Sequence, residues 1–325
     1  MTYPFPSTEN IQVILRAPSD DERSKGHKSF IAFLDILGEF VPTKKALPVF
    51  LALFDGRRPP ESQKAKTAED MIVREGPSYG LEYYPDPFVS FVDRIHEELS
   101  SVGRKVVSIL RWRYAQEGPP SPISTRGLFC AISKEDSWHS VPGRYSILNV
   151  TPPHSVLDSR QVEEDEVLAL IESQGGEPVG HELLREAKEL QHASPRSSVL
   201  VAVSAAEVAV KSVIVNKLPE AAWLVDSMQS PPIVNILIEY FPKLFDDREK
   251  FYEPTKKQGL VKTICDAVLI RDRMAHKGAA PPVKGKISEN ILSVELLLWI
   301  CDYYCDYKWA RSHIQRIQED LKDRI

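Results

Sequence analysis

Little in this sequence speaks for long nucleic acid, for disulfides or for a membrane. Basic residues are not in excess: 41 Lys and Arg stand against 46 Asp and Glu, with 19 against 20 in residues 1–158 and 22 against 26 in 159–325. A protein that grips long nucleic acid through many phosphates needs a Lys/Arg surplus, because each neutralised phosphate releases counterions. Any nucleic-acid site here is therefore expected to be small and local. Only four cysteines occur, Cys130, Cys265, Cys301 and Cys305, mostly within apolar or helical stretches, and Met1 to Pro6 lack the charged and apolar regions of a signal peptide. These features predict a reduced, cytoplasmic protein. The most apolar run, Val199 to Val215, is broken by Glu207 and Lys211, each costing ~2.5–3.5 kcal/mol at a bilayer centre, so no transmembrane helix is expected. Nothing resembles a phosphate-binding Gly-rich loop or a nucleophile elbow.

What is present is ordinary globular composition over 325 residues, 42% apolar and 27% charged, which predicts well-formed cores and two domains. The expected fold class is α+β. A mixed domain with antiparallel strands over 1–155 is followed by an all-helical bundle over 156–325. In the first half, the apolar runs Phe30 to Leu34 and Val49 to Phe54 have the length of strands or of buried helices, and periodicity does not separate the two. Pro87 to Val102 reads as an amphipathic helix, with Phe88, Phe91, Val92, Ile95 and Leu99 at helical spacing. Val106 to Tyr114, Gly127 to Ile132 and Arg144 to Val150 are rich in β-branched and aromatic residues and read as strands. Thr151-Pro152-Pro153-His154 marks the linker.

Beyond it, helices are predicted over Glu163 to Ser173 and Pro178 to His192. A further helix runs from Ser194-Pro195, as N-cap and first helical residue, to about Lys217, where Leu218-Pro219 ends it. Short helices follow at Glu220 to Met228 and Pro232 to Tyr240. A long one runs from about Thr255 to His276, stopped by Gly278 and Pro281-Pro282. The last begins near Ser288 and continues with a kink towards the C-terminus.

The chemistry concentrates in Arg271-Asp272-Arg273-Met274-Ala275-His276. Its His lies in a last helical turn, where free carbonyls and the negative dipole end favour a cationic imidazole. Asp272 and His276 are four apart and share a face, so the carboxylate is placed to orient the ring. Arg271 offers a permanently charged fork for phosphate. These are the groups that metal-free RNA cleavage needs, one to move protons and one to hold charge on phosphorus. By itself the spacing also fits a solvated helix end. Glu207 and Lys211 add to it, because a carboxylate in an apolar helix must find a partner. Arg271 is one candidate, and Lys211 at i,i+4 is the other.

A helix bearing Glu207, followed by one ending in Leu269 to Gly278 with the Arg-x4-His motif, resembles the HEPN superfamily over roughly Pro178 to Ile325. The resemblance implies that two motifs face one another across a homodimer and cleave single-stranded RNA without a metal or other cofactor. It implies Arg271, Asp272 and His276 as catalytic residues, and the same surface assigns Glu207, Lys211, Arg273 and Lys277 to substrate contact. Many members act as toxins or in defence, and others are non-catalytic modules that bind a nucleotide or a protein partner. A dimerisation scaffold is the third alternative. The additional motif of members paired with nucleotidyltransferases is missing, so that partnership is not carried over.

Other features have bland explanations. Cys301 and Cys305 are four apart on a helix but lack further ligands, and they read as core residues. Arg104, Lys105, Arg111, Trp112 and Arg113 combine charge with an aromatic on an expected strand, a mixture that suits base stacking but fits a half-exposed strand better. His96, His139, His154 and His181 show no metal spacing and read as solvated or structural. The N-terminal domain offers no chemistry and is assigned to sensing a target or recruiting a protein partner.

Overall fold

The structure, a computed structural model, describes residues 2–5, 10–16, 33–55, 84–116, 128–133, 135–141, 164–173, 176–228, 230–245 and 250–322. The expected strand at 144–150 and the expected linker at 151–154 lie outside these residues. Contacts divide the chain into two compact units, Met1–Leu110 with Ser121–Gly176, and Arg111–Pro120 with Glu177–Ile325. The fold is mixed α+β, with a helical C-terminal region.

The first unit holds a three-stranded antiparallel sheet of β1 (Thr2–Phe5), β2 (Asn10–Arg16) and β3 (Phe33–Glu39). β2 is central, with Val13 opposite both Tyr3 and Ile36. Ile11 and Val13 are buried while Gln12 and Ile14 are less so, the alternation that a strand with one covered face requires. Helix α1 (Leu47–Phe54) settles the ambiguous apolar run as helix. It packs its Phe50 ring 4.9 Å from Phe88 and 5.8 Å from Phe91. Both partners lie on α2 (Asp86–Arg113). A two-stranded ribbon, β4 (Phe129–Cys130) with β5 (His139–Ser140), and helix α3 (Glu164–Glu172) complete the unit.

The strand expected over Val106 to Tyr114 is corrected, since α2 continues through to Arg113. Val102, Val106, Ile109, Leu110 and Arg113 are all buried. Offsets of four, seven, eight and eleven make one helical stripe, and this outweighs the β-branching of Val106, Val107 and Ile109.

In the second unit, α4 (Val179–Ala193), α5 (Pro195–Lys217), α7 (Gly259–Lys277), α8 (Lys284–Tyr304) and α9 (Ala310–Lys322) form the packed body. Between α5 and α7 lie a 3-10 turn (Pro219–Ala221), α6 (Ala222–Ser227) and a segment with a π-helical turn at Ile236–Tyr240. Helix α8 is buried on every side from Leu296 to Asp302 and touches α4, α5, α7 and α9, as a helix without a polar face must. By length and composition α5 is apolar enough to cross a bilayer. Its small residues Ala202, Ala205, Ala206 and Ala209 are instead buried, and α4 and α8 pack on it. The predicted start at Ser194-Pro195 and the stop at Gly278 both hold, Gly278 taking the left-handed conformation at φ 63°.

Candidate functional site

The motif helix α7 lies against α5, and between them Glu207 finds its partner. Arg271 Nη2 donates to Glu207 Oε1 at 2.6 Å, and the Ser230 hydroxyl donates to the same oxygen at 2.8 Å. The two side chains are only 20% and 14% exposed, so the pair is largely shielded from water. Lys211, the other candidate partner, instead donates to the Met228 carbonyl. Asp272 Oδ1 sits 3.2 Å from Arg271 Nε, near enough for an ion pair but misaligned for a hydrogen bond, which leaves that buried Nε–H unmatched.

Asp272 is thus turned towards Arg271, and no hydrogen bond joins it to His276. Five residues along a helix turn the chain by about 140° beyond one full revolution. Arg271 therefore faces α5, whereas His276 is exposed on the other side. Leu269, Arg273 and His276, at offsets of four and seven, share that outer face, and all three are exposed. Arg273 Nε bonds back to the Leu269 carbonyl at 3.2 Å, and Lys277 is exposed in the last turn. The structure brings Glu207 and Arg271 together and holds Asp272 beside them. It leaves His276, Arg273 and Lys277 on an open surface, and Lys211 on the α6 side.

Two residues not singled out from the sequence shape this end of α7. Ser230 joins the Glu207 carboxylate. Arg196, in the first turn of α5, reaches the Met274 carbonyl at 3.4 Å and the Ala279 carbonyl at 2.9 Å. A guanidinium at a helix C-terminus satisfies carbonyls that the helix leaves open and meets the negative end of its dipole. No local spacing marks Arg196 for this role, because 78 residues separate it from Met274.

A second polar cluster lies inside the same unit. Asp302 Oδ2 accepts the Trp112 Nε1–H at 2.7 Å and lies 2.7 Å from His181 Nε2. His181, expected only as a solvated or structural histidine, is buried in this pair, and Trp112 is 2% exposed. Base stacking by Trp112 is therefore ruled out, its indole being packed edge-on to Tyr307 at 4.7 Å and Trp309 at 5.1 Å. Trp299 stacks on His313 at 4.3 Å, and His313 Nε2–H donates to the Arg113 carbonyl at 3.0 Å. Burial lowers the His313 pKa to about 4, against the opposing pull of that carbonyl.

Cys301 is buried and Cys305 half-buried, and burial pushes the Cys301 thiol well up and the Cys305 thiol to about 12. Among the described residues no group of three or more His, Cys, Asp or Glu side chains is arranged to hold a metal. No family model, curated protein or solved structure matches the chain.

Proposed function

We propose that the chain is a metal-independent endoribonuclease for single-stranded RNA whose site is completed by a second copy. The observation that carries this reading is the division of the motif across α7. Arg271 is held against Glu207 on one side, while His276 stands exposed on the other. One chain alone does not converge its Arg and His on a single phosphate, and a facing copy supplies the missing group. His276 takes the proton from a 2′-hydroxyl, whose oxygen attacks the adjacent phosphorus. The 5′-oxygen leaves with a proton from the partner's imidazole, giving a 2′,3′-cyclic phosphate and a free 5′-hydroxyl. Guanidinium groups stabilise the added charge on phosphorus, and Asp272 holds Arg271 in orientation.

A second reading has its own support. Arg271 is already bonded to a carboxylate, as befits a HEPN-like module that binds a nucleotide or protein partner and has no catalysis. Cleavage of mixed-sequence single-stranded RNA in EDTA separates the two, with wild type and His276→Ala compared and oligomeric state followed by sedimentation. The nuclease reading expects a dimeric wild type that cleaves and a dimeric variant that does not. Equal cleavage by both, or a fully active monomer, rejects the composite site. No cleavage by either leaves the binding module standing.

A further inference from the structure

An open groove of about 560 Å3 lies within the first unit. One wall is the first two turns of α2, where Pro87, Ser90, Phe91 and Arg94 stand at offsets of three, four and seven and so share a face. The other wall is Thr43-Lys44-Lys45, the turn that leads into α1. Both walls are anchored in the core. Phe91 is buried, with its ring 5.8 Å from Phe50. Thr43 closes the turn on itself, its carbonyl accepting the Ala46 and Leu47 N–H groups at 2.9 Å and its hydroxyl oxygen that of Ala46 at 3.2 Å. Ala46 itself is fully buried.

The lining carries three cations and no carboxylate. Asp86 and Asp93, the acidic residues at this end of α2, are not part of it. Arg94 is engaged locally, 4.0 Å from Glu98 and 5.3 Å over the Phe91 ring. Lys44 and Lys45 differ from it, being exposed and forming no ion pair among the described residues. Adjacent like charges on a closed turn repel one another, and a multiply charged anion relieves that repulsion. Beside them, Pro87, Phe91 and the aliphatic lysine stems supply apolar surface. The volume falls in the range of small-molecule sites, about 300–1,000 Å3, which combine an apolar lining with a few placed polar groups. Pro87 to Arg94 spans only about 10 Å of helix, too short a track for the many phosphate contacts that hold a long strand.

We propose that this groove binds a nucleoside polyphosphate, with its phosphates on Lys44, Lys45 and Arg94 and its base and sugar against Pro87 and Phe91. The Thr43 and Ser90 hydroxyls stand in the same walls as further polar contacts. The groove belongs to the first unit and the α7 motif to the second, and the proposal does not depend on the nuclease reading.

Calorimetric titration of the full-length protein with ATP, in magnesium-free buffer at constant ionic strength, tests it. Wild type is expected to bind one ATP per chain saturably. Lys44→Ala combined with Lys45→Ala should weaken binding about tenfold, and because both side chains are exposed the double variant keeps its fold. Adenosine and tripolyphosphate each lack one part of the ligand, and both should bind at least about tenfold more weakly than ATP. Absence of ATP binding to wild type at millimolar concentration overturns the proposal, as does unchanged affinity in the double variant. Tripolyphosphate binding as tightly as ATP overturns it by showing that the apolar wall takes no part. A single-stranded oligonucleotide that binds more tightly than ATP and loses affinity in the same variant overturns it in favour of an RNA strand. Loss of ATP binding in His276→Ala but not in the lysine variant moves the nucleotide to the α7 motif and overturns this site.

Discussion

Arg271 Nη2 lies 2.6 Å from Glu207 Oε1, and the bond joins two helices across 64 residues of sequence. Because both partners are largely buried, removal of either one leaves the other charged in a place that solvates it poorly. Glu207→Ala and Arg271→Ala are each expected to lower unfolding stability by about 1–3 kcal/mol, and the double variant by less than the sum. Urea denaturation of all four proteins reads this out, and strictly additive losses would show that the pair is uncoupled.

Asp302 is expected to matter more for folding than any residue of the motif. It accepts from two buried donors, so Asp302→Ala strands both the Trp112 N–H and the His181 ring. The loss should reach about 3 kcal/mol in thermal or chemical unfolding. A midpoint indistinguishable from wild type would refute the assignment of this carboxylate as the core's polar anchor.

His313 makes stability depend on pH. Its folded pKa of about 4 lies below the ordinary value of 6.5, so between these limits the unfolded chain binds a proton that the folded chain refuses. Stability contributed by the neutral ring is complete above pH 6.5 and falls with acidification by at most about 1.4 kcal/mol per pH unit until pH 4. His313→Gln should flatten that part of the curve, and equal slopes for the two proteins count against the ring as the titrating group.

Thiol chemistry checks the interior separately. Burial raises Cys130 to about 11 and Cys305 to about 12, with Cys301 also well above its ordinary value. At pH 8 these three are expected to resist iodoacetamide in the folded protein and to react on denaturation, as mass spectrometry of labelled peptides will show. Rapid native labelling of Cys301 is the contrary result.

The sequence made the motif helix and its neighbour readable because their signals are local. Ser194-Pro195 starts one, Gly278 stops the other, and a lone carboxylate in an apolar helix calls for a cation. The end of α2 was misread because Val106, Val107 and Ile109 favour strand by residue type, while the stripe that makes them helical extends back to Val102. His181 and Asp302 lie 121 residues apart, so no spacing rule brings them into view. Arg196 and the Met274 carbonyl lie 78 residues apart, so nothing local in the sequence marks that guanidinium as a cap for α7.

That placement of Arg196 has a dynamic consequence. A helix end ordinarily frays on its own, its last amides opening to solvent without disturbing anything else. Here one guanidinium rooted in the first turn of α5 grips carbonyls at the close of α7. Opening the last turn of α7, which carries His276, therefore also requires breaking the Arg196 contacts, so its fraying is tied to the first turn of α5.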